Sequence, residues 1–302
     1  MFNKKVIALS LVLLLSLGAI VTLSGKADAW WIFGNDKKKE SKKVETKKEN
    51  KEVAKTSLNV QGSSTVLPIA QKAAEVYMEK HPGINISVRG GGSGNGIAAL
   101  VDGAVDIADA SRFIKDKEVK KAVENGIMPV PHRVAMDGIA VVLHPSNPVQ
   151  GLSLEQIKDI YTGKITNWKE LGGKNQEIVI ISRDSSSGTF EVFEKLVLNE
   201  ERVIPTALLQ SSNGAVAGTV AETEGAIGYV GLGYLSNKLK AIKVNGVTPS
   251  KATVASGEFP IARPLFMFTD GWPEGLTASF INFILSPAGQ KIAEEQGYVP
   301  LH

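Results

Sequence analysis

The sequence predicts an α/β fold in which helices pack on both faces of largely parallel sheets. The first observation is that, from Ser57 onward, short apolar runs alternate with stretches whose apolar residues recur at helical spacing. The second is that the two kinds of segment follow one another in βα order, which is typical of such sheets. In folds of this class, ligands bind at the carboxyl ends of strands, where helices begin.

The predicted strands are short apolar runs that end at glycine, proline or polar residues. They are residues 58–60, 85–88, 105–108, 128–134, 139–143 and 178–182. The first predicted helix, residues 65–80, carries Val66, Ile69, Ala73 and Tyr77 on one face. The remaining predicted helices are residues 97–101, 119–125, 155–161 and 190–198.

Size and composition indicate a globular protein. A chain of 302 residues is long enough for two modest lobes or one large domain. The hydrophobic content of 43% and the charged content of 22% exclude collagen-like, wholly disordered and multi-span membrane proteins. There is no cysteine, which excludes disulfides, thiolate metal sites and the acyl anchor of a lipoprotein. We expect neither a cofactor nor a metal.

The first 56 residues differ from the rest of the chain. Lys4 and Lys5, the apolar run 6–23 and the small-residue site Ala27-Asp28-Ala29 predict a signal peptide over residues 1–29, with a retained membrane anchor as the alternative. Residues 30–56 are rich in Lys and Glu and nearly free of apolar residues after Phe33, so they predict a disordered, charged tether or spacer. We expect export to the periplasm or the cell surface.

The net charge of the body argues against one class of partner. Residues 1–56 hold twelve Lys and six acidic residues, whereas the remaining 246 residues hold 22 basic and 25 acidic residues. A nucleic-acid-binding protein is expected to carry its positive charge on the folded domain. We therefore expect no nucleic-acid partner.

Three junctions between a strand and a helix are rich in glycine and small hydroxyl residues. They are Gly62-Ser63-Ser64-Thr65, the run from Gly90 to Gly96, and Ser185-Ser186-Ser187-Gly188-Thr189. A helix start presents unpaired N–H donors, glycine lets the backbone approach an anion, and hydroxyls add donors without adding charge. Arg183 adds a planar fork suited to an oxyanion. One such loop alone is usually a helix cap, but three together favour an anion site.

Other nucleotide-binding and catalytic motifs are absent or weak. No G-x-x-x-x-G-K-[ST] occurs, and the G-x-S-x-G motif fails because Gly94 is followed by Asn95. The relaxed dinucleotide pattern is met by Gly94, Gly96 and Ala99, but any glycine-rich run meets it easily. The four histidines lie far apart in sequence, so nothing local supports a triad or a zinc site, although triads assemble in space.

An ordered set of motifs resembles one known family. The set consists of the three junctions, the segment from Asp106 to Arg112, the run from Tyr161 to Trp168, Arg183-Asp184, and the run from Gly225 to Tyr229. Over residues 57–302 this order resembles the periplasmic phosphate-binding proteins of ABC-type phosphate importers, the PstS family. The resemblance implies a two-lobed type II periplasmic-binding-protein fold, each lobe a mostly parallel sheet flanked by helices. It places residues 57–138 and 262–302 in one lobe and residues 139–261 in the other, with hinges near Asp137-Gly138 and Arg263-Pro264.

The resemblance also implies the ligands of phosphate. Residue by residue, it carries over to Ser64, Thr65, Ser93, Gly94, Ser111, Arg112, Arg183, Ser187, Gly188 and Thr189. One position departs from the better-known pattern, because Ser111 stands where some members have an aspartate that accepts the proton of phosphate. Asp109 or Asp184 could replace that acceptor, or could equally be a cap or an ion-pair partner. Without an acceptor, preference for phosphate over sulfate rests on the resemblance alone.

We expect a binding protein and not an enzyme. It captures inorganic phosphate between two lobes and presents the closed form to the membrane permease subunits of an ABC importer, as a monomer. The alternatives are a binding protein for sulfate, molybdate or a phosphorylated small molecule, a phosphate sensor or surface adhesin of the same fold, and an exported hydrolase.

Overall fold

The computed structural model describes residues 55–302. The predicted signal peptide and nearly all of the predicted tether lie outside the described residues. The strands are β1 Ser57–Gly62, β2 Asn85–Arg89, β3 Ile107–Ala110, β4 Pro129–Leu143, β5 Gly151–Leu152, β6 Val179–Arg183, β7 Leu208–Gln210, β8 Ala226–Gly231, β9 Lys240–Ala241, β10 Lys243–Val244 and β11 Ala262–Asp270. The helices are α1 Leu67–Lys80, α2 Ser93–Val101, α3 Asp116–Glu124, α4 Leu154–Tyr161, α5 Gly188–Phe193, α6 Asn213–Glu222, α7 Lys251–Ala255, α8 Gly275–Leu285 and α9 Pro287–Glu295. None of the helices between residues 55 and 302 has the length and apolar composition of a membrane span.

Nine strands form one continuous sheet in the order β2-β1-β3-β11-β4-β8-β6-β7, with β9 paired to β4. Strands β2, β1 and β3 pair in parallel, and β11 pairs antiparallel with both β3 and β4. On the other side, β8, β6 and β7 pair in parallel, and β4 is antiparallel to β8 and β9. Each half of the sheet therefore holds one reversed strand among co-directional ones, which confirms the predicted mostly parallel sheets.

Strand β4 belongs to both halves of the sheet. Its first part pairs with β11 as far as Gly138, and its second part pairs with β8 from Ile139 onward. The prediction of two separate strands, 128–134 and 139–143, was wrong here, because Asp137 and Gly138 interrupt the apolar pattern without ending the strand. Asp137 is fully buried in an ion pair with Arg263, so the polar residue stays within the strand.

The hydrophobic core divides along the chain. One cluster contains buried residues of 139–261 together with Val299. Two further clusters draw their buried residues from 58–135 and 265–298, on the two faces of the first half-sheet. The lobe boundaries at 138/139 and 261/262 remain a prediction, and this distribution of apolar contacts is the observation that supports them.

Most predicted elements are present with shifted ends. Helix α2 begins at Ser93 and not at Ile97, because Gly92 takes a φ of +97° and turns the chain directly into the helix. Strand β3 begins two residues later than predicted, since the carboxylate of Asp106 accepts from the Asn59 N–H at 2.8 Å and holds the chain beside β1. The predicted helix 190–198 is α5 followed by a π-helical turn over Glu194–Leu198.

Candidate functional site

The three glycine- and hydroxyl-rich junctions meet at one place in the fold. Thr65 Oγ1 of the first lies 3.1 Å from Thr189 Oγ1 of the third. The N–H of Gly94, in the second, donates to the carbonyl oxygen of Ser186, in the third, at 2.9 Å. The junctions before α1 and α2 come from the first half-sheet, and the junction before α5 comes from the second. The predicted convergence is therefore present in the structure.

The first junction leaves two hydroxyls available. Ser63 Oγ accepts from the N–H of Thr65 at 3.1 Å and from the N–H of Val66 at 3.4 Å, so Ser63 satisfies donors at the start of α1. Gly62 allows the chain to pass close to β3, because a Cβ at this position would lie 2.1 Å from the carbonyl oxygen of Asp109. Ser64 and Thr65 are buried, and their hydroxyls face the second half of the molecule.

The second and third junctions are in close contact. Ser93 Oγ accepts from the N–H of Ser111 at 3.0 Å and lies 3.3 Å from Ser111 Oγ. A Cβ on Gly188 would lie 2.4 Å from Ser93 Oγ and 2.8 Å from Ser111 Oγ, so this position requires glycine. Ser187 caps α5, since its Oγ accepts from the Phe190 N–H at 3.1 Å.

Arg183 carries a buried charge that forms no ion pair with a carboxylate among residues 55–302. Its Nε donates to the carbonyl oxygen of Gln210 at 2.9 Å, and its Nη2 donates to that of Ser211 at 3.0 Å. Nη1 is buried and has no hydrogen-bond partner within the described part of the chain. Burial lowers the pKa of Arg183, and the nearby Tyr229 and Asp184 oppose this shift only in part. The guanidinium thus has one edge fixed and one nitrogen free for a ligand.

Arg112 lies in different surroundings. Its Nη2 lies 2.7 Å from Glu118 Oε1, and its Nε lies 2.8 Å from Glu191 Oε2. Lys115 Nζ also lies 2.7 Å from Glu191 Oε2. Two carboxylates therefore balance the charge of this predicted ligand, and Glu191 joins α5 of the second half to the chain after β3 of the first.

The carboxylates considered as proton acceptors are placed differently from one another. Asp184 forms a local turn, because its Oδ1 accepts from the N–H of Ser186 at 2.8 Å. Asp109 is fully buried, and neither of its oxygens has a hydrogen-bond partner in the range 55–302. Burial raises the pKa of Asp109 well above its ordinary value. Neither residue forms an ion pair with Arg112 or Arg183 among the described residues.

Two buried residues at this site, Asn213 and Arg263, were not predicted from the sequence to contact the site hydroxyls. Asn213 Nδ2 donates to Ser64 Oγ at 3.0 Å and to Thr65 Oγ1 at 2.9 Å. Arg263 Nη2 donates to Thr65 Oγ1 at 3.1 Å, and its Nη1 donates to Ser111 Oγ at 3.2 Å. The segment Ser211-Ser212-Asn213-Gly214, where α6 begins, is rich in small hydroxyl residues and glycine like the other junctions, so it offered a signal.

Tyr234 adds a further contact between the halves, because its O–H group donates to the carbonyl oxygen of Ser64. Burial raises the pKa of Tyr234 to about 12, so the hydroxyl stays protonated at neutral pH.

Within residues 55–302 there is no cluster of three or more His, Asp or Glu that could hold a metal ion. The site is thus rich in hydrogen-bond donors with one unbalanced guanidinium, a combination suited to an oxyanion.

Comparison with known proteins places this arrangement in a family. The family model for the PBP superfamily domain matches residues 48–288. The phosphate-binding protein PstS of Bacillus subtilis is 38% identical over 265 residues, which cover 85% of this chain and 87% of that protein. PstS of Staphylococcus aureus strain USA300 is 35% identical and covers 79% of this chain and 76% of its own.

Solved structures agree with these relatives. A phosphate ABC transporter substrate-binding protein with bound phosphate from Clostridium perfringens superposes with a TM-score of 0.77 at 35% identity, covering 82% of this chain and all of its own. An ABC-type phosphate transport receptor from Vibrio cholerae superposes with a TM-score of 0.66 at 33% identity, over 80% of this chain and 99% of its own. The fold is the two-lobed type II binding-protein fold, and the chain belongs to the PBP superfamily and, within it, to the PstS family of phosphate-binding proteins.

Proposed function

We propose that this protein binds inorganic phosphate between its two lobes and delivers it to an ABC-type phosphate permease, without catalysing a reaction. The observation that carries the proposal is Arg183, whose buried guanidinium has a free Nη1 and no carboxylate partner among residues 55–302. An unbalanced buried cation is unfavourable in the absence of an anion, so a bound dianion relieves its cost. The relatives named phosphate-binding protein, and the neighbour with bound phosphate, support the identity of that anion.

The proposed ligands come from both lobes. Ser64, Thr65, Ser93 and Ser111 supply hydroxyls from one lobe, and Arg183, Ser187, Gly188 and Thr189 supply donors from the other. With the lobes together, hydrogen bonds within the protein hold these groups in place, so dehydration of the anion is offset by donors that need little further reorganisation. Gly94 and Arg112 belong to the predicted set as well, but the N–H of Gly94 and the charge of Arg112 are engaged by protein groups. We assign these two residues to contact between the lobes.

Closure of the lobes is the signal proposed for the permease. The lobes are residues 57–138 with 262–302 and residues 139–261, joined by β4 and by the start of β11. The two crossings are adjacent, since Ala262 pairs with Gly138 and Arg263 pairs with Asp137 in the sheet. Phosphate contacts both lobes only when they are together, so it favours the closed form that a permease recognises.

The proposed location is outside the cytoplasmic membrane, in the periplasm or at the cell surface. The predicted signal peptide 1–29 directs export, and the predicted tether 30–56 separates the binding domain from the membrane. The chain has no cysteine to carry the acyl chains of a lipoprotein anchor. A monomer is sufficient, because both sides of the proposed site come from one chain.

Calorimetric titration of the purified protein with phosphate, and then with sulfate, tests the proposal. We expect one phosphate per chain and much weaker binding of sulfate. Sulfate binding as tight as that of phosphate, or no binding of phosphate, would contradict it. Turnover of a chromogenic phosphate ester that is lost in Ser93→Ala or Ser187→Ala would instead support a hydrolase.

A further inference from the structure

Two hydroxyls of the proposed phosphate site have both of their lone pairs occupied by protein donors. Thr65 Oγ1 accepts from Asn213 Nδ2 at 2.9 Å and from Arg263 Nη2 at 3.1 Å. Ser64 Oγ accepts from Asn213 Nδ2 at 3.0 Å and from the Asn213 N–H at 3.3 Å. A hydroxyl has two acceptor lone pairs and one proton, so each of these hydroxyls can act toward a further group only as a donor. The proton of Thr65 is available to Thr189 Oγ1, which lies 3.1 Å away, or to a ligand that replaces this oxygen as its acceptor.

The side-chain amide of Asn213 has a fixed orientation. Its Oδ1 accepts from the N–H of Gly231 at 3.1 Å, which directs the NH₂ group toward Ser64 and Thr65. Asn213 is free for this task because Ser212 caps α6, accepting from the N–H of Ala215 at 3.0 Å. The Asn213 side chain is fully buried, so water does not compete for these hydrogen bonds.

Arg263 acts on the site through geometry and adds little net charge. Its Nε and Nη2 donate to Asp137 Oδ2 at 3.1 and 2.9 Å, and Asp137 Oδ1 accepts from the N–H of Leu232 at 2.9 Å. The remaining edge of the guanidinium reaches Thr65 Oγ1 and Ser111 Oγ, at 3.1 and 3.2 Å. The planar fork of arginine contacts both hydroxyls at once, which a lysine amine cannot do in this position.

We propose that Asn213 and Arg263 are positioning residues for phosphate binding, which hold the hydroxyls of Ser64 and Thr65 as donors directed at the anion. The inference rests on the proposed function. Asn213 belongs to α6 of one lobe, whereas Ser64 and Thr65 belong to the other. The two hydroxyls are therefore fixed as donors only when the lobes are together, and closure itself prepares the donors that hold phosphate.

A double-mutant cycle separates this role from a purely structural one. Asn213→Ala is made in the natural chain and in a Ser64→Ala/Thr65→Val background, and phosphate affinity is measured by calorimetry. We expect about tenfold weaker binding in the natural chain, from the loss of oriented donors, and less than about twofold further loss in the background. Equal losses in the two backgrounds, or no loss in the natural chain, would overturn the proposal.

A second cycle pairs Arg263→Lys with Thr65→Val. Lysine keeps a charge beside Asp137 but loses the hydrogen bond to Thr65 Oγ1. Thr65→Val removes the other partner of the same hydrogen bond, so we expect the effects of the two substitutions on phosphate affinity to be strongly non-additive. Additive losses would contradict the role of Arg263. Should Arg263→Lys fail to fold, the Asn213 cycle carries the test alone.

The matched control is Asn147→Ala. Asn147 is also a buried asparagine, and its Oδ1 accepts from the N–H of Val149 at 3.0 Å in a turn that contains no residue of the site. We expect a lower melting temperature and unchanged phosphate affinity, and a drop in affinity like that of Asn213→Ala would count against the proposal. The natural chain distinguishes the two failures, since absence of phosphate binding there removes the proposed function, whereas binding with additive cycles removes only this inference.

Discussion

Arg183 and Arg263 are equally buried, each with 2% of its surface exposed, yet only Arg263 forms an ion pair among residues 55–302. Asp137 balances Arg263 at 2.9 Å, whereas Arg183 is held by the carbonyl oxygens of Gln210 and Ser211. Carbonyl dipoles orient a guanidinium without neutralising it. The charge of Arg263 is thus balanced inside the protein, whereas that of Arg183 has no ion-pair partner among residues 55–302, which fits its proposed role as a ligand of phosphate.

The largest effect is expected where the balanced pair is broken. Asp137→Asn leaves Arg263 buried without a counter-charge, so the free energy of unfolding should fall by about 3 kcal/mol. Urea denaturation in phosphate-free buffer measures it. The control is Asp102→Asn, which removes a carboxylate from an exposed pair with Lys121 and should change stability by less than about 0.5 kcal/mol. A loss below about 1 kcal/mol for Asp137→Asn would mean that Arg263 does not depend on Asp137 for its balance of charge.

The next effect concerns the unbalanced arginine. Arg183→Ala should weaken phosphate binding by at least about 2 kcal/mol, roughly thirtyfold, because it removes a charged donor from a buried anion. The same change should leave the stability of the phosphate-free protein unchanged or higher, since it removes an uncompensated buried charge. Calorimetry and urea denaturation measure the two quantities. Arg89→Ala, at an exposed position of β2, is the control and should alter neither. Loss of both phosphate affinity and stability in Arg183→Ala would show that the charge of Arg183 stabilises the protein itself, as the charge of Arg263 does.

Asp109 provides a test that depends on pH. Burial raises its pKa above the unfolded value, so the folded state retains a proton that the unfolded state releases, and stability falls as pH rises between the two pKa values. Asp109→Asn removes this dependence. Its free energy of unfolding relative to the natural chain should therefore increase with pH above about 4, by up to about 1.4 kcal/mol per pH unit. Urea denaturation at pH 5, 6 and 7 measures the difference. A difference that stays constant with pH would show that Asp109 does not titrate in this way, and the exposed Asp270→Asn serves as the comparison.

The smallest effect is expected at the rim of the site. Glu191→Gln removes the carboxylate that lies between Arg112 and Lys115 across the lobes, so phosphate affinity should fall by about 1 kcal/mol or less, roughly twofold to fivefold. The loss should diminish as salt is added, because salt screens the natural ion pairs. Calorimetry at two salt concentrations measures it, with exposed Glu222→Gln as the control. A loss that is independent of salt would argue against an electrostatic contact between the lobes.

The sequence allowed the α/β class, most elements up to residue 198 and the three loops of the site to be predicted, because these depend on local periodicity and on glycine and hydroxyl composition. Other features depend on partners that are distant in the chain. The Arg263–Thr65 contact joins residues 198 positions apart, and β4 continues through Asp137 only because Arg263 balances it. Asn213 was missed although its junction resembles the others, since the preceding strand β7 is only three residues long and gives a weak strand pattern in the sequence.

The shared strand β4 has a consequence for anyone who wishes to build a phosphate reporter from this chain. Each half of the sheet includes part of the same 15-residue strand, so neither half can be removed as a separate module without breaking a hydrogen-bonded ladder. A fluorescent protein inserted at either crossing would interrupt β4 or β11, the two strands through which the proposed closure would act. The exposed turn at Gly246, where nothing lies within 4 Å of an added Cβ, is the better place for the insertion.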